Sequence, residues 1–179
     1  MSGPDPRGAS LPHDGEVLDV HLAAEFEARD IEATMATMPE DPYLNHVPMM
    51  TGGIGRDAVR AFYERFFIPV WPEDIDVASV SRTEGQDRVV DELILSFTHD
   101  QRMDFLLPGV EPTGRSVSLP FVVVVGFEDG KVAYQHIYWD QASLLVQVGL
   151  LDPALMPATG AEQAAKVRDP RGVPCRELG

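Results

Sequence analysis

The sequence has 179 residues, 44% of them hydrophobic, which is enough for one domain with a sizeable core. Acidic residues outnumber basic ones by 29 to 14, so the chain carries a formal net charge of −15 and repels phosphate backbones and anionic membrane surfaces. This charge argues against nucleic acid and membranes as partners. A single cysteine, Cys175, excludes an internal disulfide framework and a metal site built from paired cysteines.

The ends of the chain differ in composition from its middle. Residues 1–15 are rich in Pro, Gly and Asp and predict a flexible N-terminal arm, residues 16–156 predict the folded domain, and the polar residues 157–179 predict a C-terminal arm. The N-terminus has no apolar stretch typical of a secretory signal, and the longest apolar run, 119–127, is too short to span a bilayer. We therefore expect a soluble, cytoplasmic protein.

The first half of the domain has a helical pattern. The residues of one helical face recur at three- or four-residue spacing: Val17, His21, Ala24, Ala28, Ile31 and Met35. A break in this pattern is predicted near Arg29 and Asp30. Residues 43–48 then predict a short extended segment, and the glycines of 51–55 a sharp turn. A second helix follows, which ends before Pro69 and carries an aromatic stripe: Val59, Phe62, Tyr63, Phe66 and Phe67.

The second half of the domain has a strand pattern. Apolar runs at about 75–83, 88–106, 115–127 and 131–140 are separated by turn residues, and Asp129-Gly130 is a strong hairpin signal. A short apolar helix over 142–151 closes the domain. Helices followed by a four-stranded meander predict an α+β fold, in which an antiparallel sheet carries helices on one face.

Charged residues alternate along two of these predicted strands. Strand parity places Asp100, Arg102 and Asp104 on one face of the second strand. It likewise places His136, Tyr138 and Asp140 on one face of the fourth. If both faces turn into the hollow of a curved sheet, two carboxylates and a guanidinium form an acid/base site. The alternative is a solvated strand face with weak ion pairs.

Short motifs in the chain resemble those of the limonene epoxide hydrolases. The residues that carry the resemblance are Tyr43, Asn45, Pro48, Gly55-Arg56-Asp57-Ala58-Val59, Arg102-Met103-Asp104, Pro112-Thr113-Gly114 and Tyr138-Trp139-Asp140. The resemblance covers roughly residues 16–152 and implies a cone-shaped, nuclear transport factor 2-like barrel with the N-terminal helices packed over its concave face. It also implies a homodimer.

The resemblance further implies a reaction, the addition of water to an epoxide on a small hydrophobic substrate without a cofactor. Tyr43, Asn45 and Asp140 would hold and deprotonate the water, Asp104 would protonate the epoxide oxygen, and Arg102 would bridge the two aspartates. The side chains expected to bind the substrate are His46, Phe62, Phe66, His136 and Tyr138. No metal is expected, because the histidines lack the paired spacing of metal ligands.

Two other functions stay open at this stage. The chain also resembles the broader SnoaL-like polyketide cyclases, because it places additional His and Asp side chains around the presumed pocket: His46, Asp100 and His136. This resemblance implies that Asp140 and His136 would transfer a proton, as in a ketosteroid isomerase-like enzyme. A non-catalytic module that binds a small molecule is the third possibility, since fold alone does not determine function.

Overall fold

The computed structural model describes residues 13–177 of the chain. The predicted N-terminal arm lies almost entirely outside the described residues. Helix α1 (Asp14–Leu22) continues into a π-helical segment, Ala23–Ala28, and helix α2 spans Ile31–Ala36. The predicted break is confirmed, because Arg29 adopts a left-handed conformation with φ 51° and Asp30 accepts a hydrogen bond from Ala33 N as the N-cap of α2.

A two-stranded hairpin and a second helical segment come next. Strands β1 (Tyr43–His46) and β2 (Thr51–Ile54) are followed by helix α3 (Arg56–Phe62), a π-helical segment, Tyr63–Phe67, and a short 3₁₀ turn, Ile68–Val70. The prediction of a turn at 51–55 is wrong for its first four residues, which pair with β1 instead. Glycine is required there because a Cβ on Gly53 would lie 2.7 Å from the backbone of α3.

Four long strands complete the sheet. These are β3 (Asp76–Glu84), β4 (Arg88–Thr98), β5 (Ser116–Glu128) and β6 (Lys131–Trp139), followed by helices α4 (Gln141–Gln147) and α5 (Glu162–Arg168). The strand order is β2-β1-β6-β5-β4-β3, with β1 and β6 parallel and all other pairs antiparallel. The antiparallel meander predicted for the four long strands is confirmed, and β1 adds one parallel pair, so the curved sheet is mixed and open between its edge strands β2 and β3.

The predicted α+β architecture is confirmed. The sheet curves around one hydrophobic core, which the N-terminal helices cover on the concave side. On the opposite face, α5 packs against β5 and buries Ala164. No helix within residues 13–177 is long and apolar enough to cross a bilayer.

The segment between β4 and β5 departs from the predicted strand. Strand β4 ends at Thr98 rather than near residue 106. Four apolar side chains of this segment are buried together in a compact turn: Met103, Phe105, Leu106 and Leu107. Three consecutive apolar residues cannot all face inward along a strand, because successive side chains of a strand point to opposite faces. The turn lets all of them enter the core.

Candidate active site

A cavity of about 70 Å³ lies between the concave face of the sheet and the helices. Its wall is mostly aliphatic and aromatic, with side chains from β1, β4, β5 and β6 below and from both π-helical segments above. π-helical segments inside helices occur frequently at functional sites. Five lining side chains carry a polar atom: Glu25, His46, Tyr63, Trp71 and Gln135.

Glu25 is the carboxylate of this cavity. It lies in the first π-helical segment and is 3% exposed, and its Oε1 is 2.9 Å from Nε2 of His21 one turn earlier. His21 is itself fully buried. The pair thus places a carboxylate beside an imidazole in the buried interior.

Thr37 determines which nitrogen of His21 takes part. The Thr37 hydroxyl donates to the carbonyl oxygen of Thr34 at 2.6 Å, so its oxygen accepts the proton of His21 Nδ1, also at 2.6 Å. With Nδ1 donating to Thr37, Nε2 is the nitrogen that faces Glu25. The arrangement orients the imidazole as a carboxylate or carbonyl orients a catalytic histidine in other enzymes.

Tyr63 and Gln135 complete the polar network. The Gln135 side-chain amide lies 2.8 Å from His21 Nε2 and donates to the Tyr63 hydroxyl at 3.1 Å. The Tyr63 hydroxyl is 3.3 Å from His21 Nε2 and interacts with Glu25. Complete burial raises the pKa of Tyr63 well above its usual value, and the negative charge of Glu25 raises it further. Tyr63 therefore keeps its proton and supports the carboxylate as a hydrogen-bond donor.

His46 lies in the same cavity without a charged partner. Its ring is surrounded by aromatic rings at centroid distances of 5.3–5.8 Å: Phe62, Phe67, Phe105 and Trp139. Burial lowers the pKa of His46 to about 4, although a hydrogen bond to the Thr51 backbone and the charge of Glu25 partly oppose this effect. His46 is thus neutral at pH 7.

The predicted Asp/Arg/Asp wall is not assembled. Arg102 is exposed on the turn after β4, where its guanidinium binds Asp104 at 3.1 Å and Glu111 at 3.2 Å rather than bridging to Asp140. Asp140 is the N-cap of α4 and is exposed, and its carboxylate accepts from the backbone of Ala142 and Ser143 and from Gln163. The shared strand face predicted for Arg102 and Asp104 is therefore wrong, because β4 ends before them.

The other predicted polar residues lie together, but on the outer face of the sheet. Tyr43 and Asn45 of β1 pair with Tyr134 and His136 of β6. The Tyr43 hydroxyl is 3.0 Å from His136 Nε2, and its ring stacks on Tyr134 at 5.1 Å. Tyr138 is exposed on the same face. The parity of this strand was predicted correctly, but the alternate residues, Gln135 and Ile137, are the ones that line the cavity.

The predicted aromatic residues lie at a neighbouring cleft of about 250 Å³. Phe62 and Phe66 line this cleft together with Asp104. A backbone hydrogen bond from Gly109 and the guanidinium of Arg102 lower the pKa of Asp104, so it is ionised at neutral pH. Phe62 also contacts the ring of His46, which connects the cleft to the wall of the inner cavity.

Comparison with known proteins assigns the chain to a family. The model of the SnoaL-like domain matches residues 20–135. The chain belongs to the SnoaL-like domain family. A search of curated proteins gives no match.

Solved structures share the fold of this SnoaL-like domain at low sequence identity. TsrD from Streptomyces laurentii is 19% identical with a TM-score of 0.61, over 76% of this chain and 95% of that chain. A candidate SnoaL-like polyketide cyclase from Jannaschia sp. CCS1 is 21% identical with a TM-score of 0.62, over 84% and 100% of the two chains. A Catenulispora acidiphila protein with a ketosteroid isomerase-like fold, in complex with trimethylamine, is 15% identical with a TM-score of 0.59, over 79% and 96%.

The sequence contains a signal for the pair that sequence reasoning missed. His21 and Glu25 are four residues apart, the spacing that brings two side chains together on one face of a helix. The helical pattern of residues 17–35 also includes His21 among its apolar positions. A titratable pair on the buried face of a helix is a mark of a functional site, whereas most charged residues face solvent. In the SnoaL-like domain this signal is more specific than the alternation of charges near residue 102.

Proposed function

We propose that this SnoaL-like domain catalyses proton transfer at the carbon next to a carbonyl group of a small, apolar substrate, as in an isomerisation or a ring closure. The observation that carries the proposal is the buried Glu25–His21 pair, of which Glu25 lines an otherwise apolar cavity. Acid/base pairs in water-poor pockets are suited to abstracting weakly acidic protons. The family and its cyclase-like and isomerase-like structural relatives agree with this class of reaction.

In this reaction Glu25 is the general base. Its carboxylate takes a proton from the α-carbon, the C–H electron pair becomes the carbon–carbon double bond of an enolate, and the carbonyl oxygen takes the negative charge. In a β,γ-unsaturated ketone the enolate is conjugated, and return of the proton from Glu25 to the γ-carbon gives an isomer. In a diketone the α-carbon of the enolate attacks the second carbonyl to close a ring, and the alkoxide formed there takes the proton from Glu25. His21, held by Thr37, is a positioning residue that orients Glu25 and exchanges a proton with it.

Hydrolysis of an epoxide, the reaction expected from the resemblance, is the weaker candidate. It needs an acid and a base that face each other across one cavity. Asp104 lies at the outer cleft and Asp140 caps α4, and neither lines the inner cavity. Loss of epoxide hydration in both Asp104→Asn and Asp140→Asn would restore this candidate.

A deuterium-exchange experiment tests the proposal. Cyclohexanone and acetophenone are incubated with the protein in deuterium oxide, and incorporation at the α-carbon is followed by mass spectrometry. We expect enzyme-dependent exchange that falls roughly 10²- to 10⁴-fold in Glu25→Gln, the range of general-base contributions. Glu27→Gln is the matched control, because Glu27 lies in the same π-helical segment but is exposed.

Two results would contradict the proposal. One is exchange that persists unchanged in Glu25→Gln. The other is binding of these ketones in the cavity, detected by calorimetry, without any exchange above the uncatalysed rate.

A further inference from the structure

The cavity contains two buried polar atoms that have no hydrogen-bond partner. His46 Nδ1 and Trp71 Nε1 are two of the three such side-chain atoms within residues 13–177, and both residues line the cavity. His46 is 2% exposed and Trp71 is 3% exposed. Buried polar groups without partners reduce stability, so they are rare in proteins and call for a specific explanation.

The two atoms differ in hydrogen-bonding capacity. The indole N–H of Trp71 only donates. His46 is neutral, so one of its ring nitrogens donates and the other accepts, and the unpartnered Nδ1 takes one of these two roles. The cavity therefore presents one free indole donor and one free imidazole nitrogen in an apolar wall, and a hydroxyl group can pair with that nitrogen in either role.

Both groups belong to the same aromatic wall. The Trp71 ring lies 5.5 Å from Phe67 and 5.2 Å from Phe105, and the His46 ring lies 5.8 Å and 5.4 Å from the same two rings. Phe67 also contacts Tyr63 of the acid/base network at 5.6 Å. The two unpartnered atoms and Glu25 thus line one cavity, in which a bound small molecule contacts this wall.

We propose that the cavity binds a hydroxy ketone, whose carbonyl oxygen accepts the Trp71 indole proton and whose hydroxyl forms a hydrogen bond with His46 Nδ1. This inference rests on the proposed function and names its substrate class. Trp71 then also receives the negative charge that develops on the enolate oxygen, a charge for which the Glu25–His21–Tyr63 network offers no free donor. Trp71 and His46 are binding residues of the substrate.

Matched probes test the proposal on the wild-type protein. The affinities of 2-, 3- and 4-hydroxyacetophenone are measured by calorimetry beside acetophenone, the ethylphenols and ethylbenzene. We expect at least one hydroxyacetophenone to bind roughly three- to tenfold more tightly than acetophenone, which lacks the hydroxyl group. We expect the same advantage over the ethylphenol with its hydroxyl at the same ring position, which lacks the carbonyl group. Each comparison removes one net hydrogen bond. The advantage over acetophenone is lost in His46→Phe, and the advantage over the ethylphenol is lost in Trp71→Phe.

The indole signals provide an independent measurement. In protein labelled with ¹⁵N-tryptophan, the N–H resonance of Trp71 shifts with ketone probes and stays in place with the ethylphenols. Trp139 is the internal control, because its indole N–H already donates to Gln141. Equal affinities for all probes, or a Trp71 resonance that ignores the ketones, would overturn the inference and indicate that water satisfies both atoms.

The two proposals fail in different ways. If Glu25→Gln keeps the preference for hydroxy ketones and the wild-type protein shows no deuterium exchange, the substrate class stands and the proposed reaction fails. If acetophenone exchanges in a Glu25-dependent manner without any preference for a hydroxyl group, the reaction stands and the substrate class fails.

Discussion

His46 shows how a single residue couples the site to the stability of the protein. Its imidazole is enclosed by aromatic rings and has no charged partner, so protonation would place an unpaired charge in an apolar environment. The neutral ring, in contrast, packs as another aromatic side chain. The same apolar environment that leaves Nδ1 without a partner therefore makes the folded state sensitive to acid.

We predict a loss of stability as the pH falls from 6.5 toward 4. In this window the unfolded chain binds a proton at His46 and the folded protein does not, because the pKa of His46 is lowered from 6.5 to about 4. The contribution of His46 to the free energy of unfolding is therefore fully present above pH 6.5, and ~3 kcal/mol of it is lost as the pH falls to 4. Urea unfolding at pH 7, 6 and 5 measures this slope.

The variant His46→Phe isolates this contribution. It should lose most of the slope between pH 6.5 and 4, and His136→Phe on the outer face should keep it. A slope that survives in His46→Phe would show that other groups cause the acid sensitivity.

Among the elements, the start of α3 depends on Arg56, a residue of the Gly-Arg-Asp-Ala-Val motif. Gly55 adopts φ 81° as the N-cap, a conformation that favours glycine. The guanidinium of Arg56 donates to the carbonyl oxygens of Met35, Met38 and Pro39 at 2.9–3.1 Å. Arg56 thereby caps carbonyls at and just after the end of α2 and joins α2 to the start of α3.

We predict that Arg56→Lys lowers the free energy of unfolding by about 1–2 kcal/mol, because an ammonium group cannot reach all three carbonyls as the planar guanidinium does. Arg65→Lys, at an exposed position of the following π-helical segment, should stay within about 0.5 kcal/mol of the wild type. Thermal and urea unfolding measure both. Equal stability of Arg56→Lys and the wild type would mean that water satisfies the three carbonyls.

At the scale of the whole molecule, the two faces of the sheet have different roles. The concave face encloses the cavity and the buried Glu25–His21 pair. On the outer face, α5 covers part of β5. Val122 of β5 and Tyr138 of β6 pair with each other on this face, and both side chains are exposed. The homodimer implied by the resemblance stays a prediction, and this exposed pair is where a second subunit would bury apolar surface.

We predict that Val122→Lys shifts the protein from dimer to monomer, because a charge replaces an apolar side chain at the centre of the proposed interface. Sedimentation equilibrium measures the association state. Val80→Lys on the edge strand β3 is the matched control, since Val80 is exposed to a similar extent, 40% against 38% for Val122. A wild-type monomer, or a dimer that persists in Val122→Lys, would contradict the prediction.

The sequence by itself determined most of the elements and their periodicity, although it missed strand β2 and the end of β4. The helix break at Arg29 and Asp30, the order of helices before strands and the parity of β6 follow from local patterns, because helical and strand repeats depend only on neighbouring residues. Only the tertiary structure decided which face of each strand turns inward. Ile137 and Trp139 face the core while His136 and Tyr138 face out, because burying the apolar face lowers the free energy and burying unpaired charges raises it. The tertiary structure also decided the composition of the site, because Glu25 and His21 contact Tyr63 and Gln135 only when distant segments of the chain fold together.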